Sequence, residues 1–119
     1  MGNIERRIVM QIVNIADQYT KTPGGRFRSE GKYSGEDFRQ MLLKPTYLLA
    51  KKNGEELEVN LDGGYGYATS FLEEAFGGLV RDLGDKDILK IIIISEEEPE
   101  LKAKVYQYIK DALMERGIK

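Results

Sequence analysis

Between Glu56 and Ile94 the apolar pattern changes period twice. Glu56 to Leu61 (ELEVNL) alternates with period two, as a half-buried strand does. Leu72, Ala75, Phe76, Leu79, Val80 and Leu83 then recur at i, i+3, i+4, i+7, i+8 and i+11, the stripe of a helix buried along one side. Ile88 to Ile94 is almost continuously apolar, the pattern of a strand covered on both faces. A helix between two strands of one sheet returns the chain to the end it left, so the strands pair in parallel with right-handed crossovers.

The alternation extends in both directions. Ile8 to Ile15 (IVMQIVNI) is rich in β-branched residues and predicts a strand. In the polar stretch Ala16 to Gly35, Gly25 to Ser29 alternates and predicts a short strand, turned by Glu30-Gly31. Ser34 with Asp37 three residues on resembles a capping box, and Phe38, Met41 and Leu42 follow at helical spacing. Pro45 has no N–H to donate, so it breaks or kinks that helix. Leu48 and Leu49 resume its apolar face, and Asn53-Gly54 ends it. Pro99 suits the first turn of a last helix that buries Leu101, Val105, Ile109, Ala112 and Leu113. The expectation is an α/β fold: one domain over residues 1–119, with a mixed, mostly parallel sheet and about three helices (35–51, 70–83 and 99–115).

Composition removes several functions. The chain has no histidine and no cysteine, which excludes Ser-His and Cys-His nucleophile pairs, disulfides, and thiolate or imidazole metal sites. Catalysis is therefore not expected, nor is a metal or cofactor. The 18 Lys and Arg against 20 Asp and Glu argue against a general nucleic-acid binder, leaving room for a local basic patch. No apolar stretch reaches the ~18 residues of a membrane span, and the N-terminus lacks the apolar segment of a signal peptide, so the cytoplasm is the expected location.

The segment from Leu57 to Val80 concentrates the chemistry that remains. A strand runs into the glycine-rich loop Asp62, Gly63, Gly64, Tyr65, Gly66, Tyr67, and a helix opens at Thr69-Ser70. Open α/β sheets bind ligands at the carboxyl ends of their strands, and a helix N-terminus offers free N–H groups to an anion. Ser70 with Glu73 spells a capping box, so Ser70 is expected to accept from the Glu73 N–H while Glu73 reaches back. A capping hydroxyl at a loop edge can also accept a phosphate. Gly77-Gly78 inside a helix points either to close packing against the sheet or a neighbouring helix or to a flat surface for a partner to approach. Arg26 and Arg28, in a loop with Pro23, Gly24 and Gly25, are candidates to hold a phosphate or an acidic partner. That loop, from Gly24 to Lys32, is expected close to Asp62–Ser70, with Tyr33 also nearby. Asp62, Glu73 and Glu74 are the clustered carboxylates of the region, but no Asp-x-Asp array supports a Mg²⁺ site.

At these residues the chain resembles the STAS domain, the sulphate transporter and anti-sigma-factor antagonist module. There a strand leads into Asp-Ser-Ser-Gly at a helix start, and a partner kinase phosphorylates the second Ser. Here LEVNLDGG leads toward Ala68-Thr69-Ser70-Phe71, with Ser70 on the phosphoacceptor and Thr69 on the Ser before it. Ala68 stands where STAS has Asp, and Phe71 where it has Gly. The stretch GRFRSEGKYSGEDF followed by LDGGYGYATSFLEEAFGGLV is still more similar to a bacterial STAS-like family of unknown function, over roughly residues 22 to 83. The resemblance implies a non-catalytic regulatory module, like an anti-sigma-factor antagonist. It would dock a protein partner through Asp62, Gly64, Tyr65, Gly66, Tyr67 and Phe71, with Ser70 (or Thr69) phosphorylated by a histidine-kinase-type ATPase. The alternative is a sensor of a small anion or nucleotide at the Ser70 helix start, held by Arg26 and Arg28.

Overall fold

The computed structural model describes residues 10–118. Strands β1 (Met10–Asn14), β2 (Glu56–Asn60) and β3 (Ile92–Ile94) form one sheet in the order β1-β2-β3, both pairings parallel. The expected strand residues Ile8 and Val9 lie outside the described residues. Val13, Val59 and Ile93 stand in register across the sheet and are all buried. The helices pack over that face. Its core joins these residues to Phe38, Leu43 and Tyr47, to Phe71, Phe76 and Leu79, and to Val105 and Ile109.

Among the described residues no helix covers the opposite face, which corrects the expectation of a strand covered on both sides. Period-two alternation puts Met10, Ile12 and Asn14, Glu56, Glu58 and Asn60, and Ile92 and Ile94 there. Each of these is half-buried or exposed, with Ile12 at 57%. The run before β3 differs too. Lys86–Lys90 forms a 3₁₀ turn opened by Asp85, whose side chain accepts from the Asp87 N–H, so the extended strand begins only at Ile92.

The first long helix, α1, runs continuously through Gly35–Phe38, Arg39–Leu43 and Lys44–Asn53. Ser34 caps it as expected, its Oγ accepting from the Asp37 N–H at 3.0 Å. Pro45 does not break it. The turn before the proline widens to π geometry, with the Lys44 N–H donating to the Arg39 carbonyl five residues back. The widened turn accommodates the proline, and the Thr46 hydroxyl adds a bond to the Leu42 carbonyl at 2.7 Å. Gly54 then closes α1 with φ 66°, a left-handed conformation that glycine adopts without steric cost.

The second helix, α2, comprises Thr69–Leu72, Glu73–Gly77 and Gly78–Leu83, and its middle segment is also a π turn. The last helix, α3 (Glu100–Glu115), follows β3 and buries the five apolar residues its spacing predicts. The expected strand at Gly25–Ser29 is absent. Arg28–Glu30 is a single 3₁₀ turn instead. Gly24 N–H donates to Tyr33 O, and Gly35 N–H to Gly25 O, so the loop closes on itself and on the start of α1.

Candidate functional site

The carboxyl ends of β2 and β3 and the start of α2 lie together, as the strand-loop-helix reading requires. Asp62 is committed to this architecture. Its carboxylate accepts from the Glu96 N–H at 3.0 Å and the Glu97 N–H at 2.9 Å, tying the loop after β2 to the loop after β3. Gly63 N–H donates to Glu97 Oε1 at 2.7 Å. Gly64 passes so close to Lys21 that a Cβ there would stand 3.1 Å from its carbonyl oxygen. The Tyr65 N–H donates to that same carbonyl, while its ring projects outward, 84% exposed. Gly66 takes φ 118°, open to glycine and strained for other residues. The Tyr67 hydroxyl donates to the Leu61 carbonyl at 2.9 Å, and its ring packs on Phe71. Burial pushes the Tyr67 phenol pKa up, reinforced by the negative charge of Asp62.

This anchoring sets where α2 begins. Tyr67 is pinned to β2, Ala68 is extended (φ −70°, ψ 144°), and Thr69 is already helical. Ala68 is therefore the N-cap, and it has no side chain able to cap. The expected capping box fails: Ser70 lies in the second helical position, and Glu73 does not reach back to it. Among the described residues the N–H groups of Thr69 and Ser70 consequently have no side-chain acceptor, while those of Phe71 and Leu72 turn back to the Ala68 carbonyl. Ser70 is half-exposed and Thr69 exposed. Phe71 was expected on the docking face. It is fully buried, stacked on Phe38 at 5.8 Å between ring centroids, and belongs to the core. Replacing Ala68 with Ser supplies the missing cap, and it should raise unfolding stability by about 1 kcal/mol in a urea titration.

The Gly24–Lys32 loop lies against α2, but its arginines are engaged. Arg26 Nη1 pairs with Glu73 Oε1 at 2.5 Å and Glu74 Oε1 at 3.2 Å. Arg28 Nε pairs with Asp37 at 2.9 Å. Tyr33, in the left-handed region at φ 58°, sets its ring edge-on to Tyr19, whose hydroxyl donates to Asp37. A small anion at Ser70 would compete with Glu73 and Glu74 for Arg26. Among the described residues no acidic cluster has the geometry to hold a metal ion.

Sequence reasoning missed the centre of this region, Arg39. Its side chain is 7% exposed and reaches from α1 into the widened turn of α2. Nη1 donates to the Glu74 carbonyl at 2.5 Å and to Glu74 Oε2 at 2.7 Å, and Nε donates to Asp82 at 3.0 Å. The π turn, in which the Gly78 N–H reaches the Glu73 carbonyl, leaves the Glu74 carbonyl for this guanidinium. Gly78 supplies the space: a Cβ there would collide with the Arg39 guanidinium. A Cβ on Gly77 would collide with the Glu73 carboxylate. The glycine pair was the legible signal, and what it accommodates is a buried charge cluster.

Glu73 carries the outer half of that cluster. Hydrogen bonds from Arg81, at 2.8 and 3.0 Å, hold its pKa below the usual carboxylate value; burial opposes this and Arg26 adds to it. A carboxylate whose folded pKa is depressed stabilises the fold above its unfolded pKa of about 4.3, and the contribution is lost as pH falls through the folded value. Glu73→Gln should therefore lower the urea midpoint at pH 7, and the gap from wild type should narrow by pH 3.

No curated protein and no solved structure gives a significant match to this chain. The model of the STAS-like domain of unknown function (DUF4325) matches residues 34–102, from the cap of α1 through β2, the glycine-rich loop and α2 to the start of α3, and the chain belongs to that family.

Proposed function

We propose that the chain is a non-catalytic regulatory module that docks a protein partner at the α2 N-terminus and is switched by phosphorylation of Ser70. The observation that carries this is the uncapped start of α2. Because Ala68 occupies the N-cap, the Ser70 hydroxyl does not cap the helix, and N–H groups with no side-chain acceptor among the described residues stand beside it. A phosphate there gains from those donors and from the helix dipole, whereas the nearby Glu73 and Glu74 charges are already neutralised by Arg26, Arg39 and Arg81. Exposed Tyr65 and the glycine-rich loop form the adjoining recognition surface. A kinase or ATPase of the histidine-kinase type is the partner class that the STAS likeness suggests.

The same geometry separates structure from regulation. Ser70→Ala removes no cap, so its stability should stay within about 0.5 kcal/mol of wild type. Ser70→Asp puts a negative charge in the first turn and should leave stability equal or slightly higher. Partner capture by immobilised wild type, Ser70→Ala and Ser70→Asp chains from a native lysate, with and without ATP, reads the switch. The proposal requires Ser70→Asp to change the captured set without lowering the melting temperature. Identical capture by all three contradicts it.

A further inference from the structure

The two outer edges of the sheet are treated differently. On β3 the edge is sealed by α3. The Tyr106 hydroxyl accepts from the Ile93 N–H at 3.3 Å and donates to the Ile91 carbonyl at 2.6 Å, taking two outward backbone groups with one side chain. Covering an edge in this way prevents a further strand from adding. On β1 the only such device among the described residues is at the end, where Gln18 Oε1 accepts from the Asn14 N–H. Backbone groups alternate between the two edges of a strand. Since Asn14 points away from β2, Ile12 points the same way. Its N–H and C=O stand on the outer edge with no partner among the described residues, and its side chain is 57% exposed.

We infer that two copies of this chain associate by antiparallel pairing of β1 with β1 about Ile12. Two features favour a second copy as the occupant. In this register Ile12 faces Ile12, so each copy's outer-edge N–H meets the other's outer-edge C=O, as a two-fold interface requires. The strand Met10-Gln11-Ile12-Val13-Asn14 carries no charge, so self-pairing brings no like charges together. Stacking of two open faces is disfavoured by the same reasoning, because Glu56 and Glu58 would meet their own counterparts. Edge pairing instead makes a continuous six-stranded sheet with helices on one side, and places the two Ile12 side chains in contact.

Sedimentation velocity over about three decades of concentration tests this, since a self-associating chain changes apparent mass with concentration. Wild type should shift from monomer to dimer. Ile12→Lys puts two ammonium groups on the two-fold axis, and Ile12→Pro deletes the outward N–H, which the β1-β2 ladder does not use. Both should remain monomeric over the whole range, and Ile12→Lys should keep the wild-type circular dichroism spectrum. A wild-type chain that is monomeric throughout, or a dimer that survives both substitutions, overturns the inference.

Discussion

Replacing Arg39 with Met should cost about 3 kcal/mol, among the largest losses expected from any single side chain. Removing one partner of a buried ion pair leaves the other charge uncompensated, which typically costs about 3–5 kcal/mol. The lower end applies because Glu74 keeps Arg26 at 3.2 Å and Arg81 at 3.5 Å. Its carbonyl, however, loses the guanidinium it faces, and among the described residues Asp82 retains only Lys44 and Gln40. For a domain with about 5–15 kcal/mol of total stability, this is a large fraction. Urea unfolding measures it, and a double-mutant cycle with Glu74→Gln attributes it: the two losses should be far from additive. A cost below about 1 kcal/mol would show that the clamp across the π turns contributes little.

Gly35→Ala should cost about 2–3 kcal/mol, through crowding rather than charge. Gly35 opens α1 directly against α2. A Cβ there would be driven into the Phe71 carbonyl oxygen and stand 3.1 Å from Glu74 Cβ. A backbone atom cannot rotate away, so the two helices must separate. That movement disturbs the Phe38-Phe71 stack and the start of α2. The expected result is a lowered melting temperature with an unchanged m-value. A neutral substitution would mean that the helices are not held at this distance.

These two sites also mark the boundary of what the sequence reveals. Period alone located β2, α2 and α3, because Val59, Leu79 and Val105 sit in long, regular patterns whose apolar faces all meet one core. The strand-loop-helix around Asp62 and Ser70 was legible for the same reason, and local chemistry found the Ser34 cap. Features decided by distant partners were not legible. Arg39 reads as an ordinary surface arginine until α2 lies beside it. The cap of α2 was misassigned because Ser70-x-x-Glu73 matches a capping box, while Tyr67, bonded to Leu61, fixes the entry at Ala68. Gly25 to Ser29 alternates, yet it has no strand to pair with. Ile92 and Ile94 look like core by composition, but parity puts them opposite Ile93, on the open face.

Phosphorylation at Ser70 is tested most directly by mass spectrometry of the chain isolated from its native cells. The account predicts a phosphate on Ser70, or on Thr69 beside it, that disappears in the Ser70→Ala, Thr69→Ala double variant and is removed by phosphatase with a change in bound partner. A chain unmodified at both positions under every growth condition, still engaging the same partners as the double variant, would contradict it.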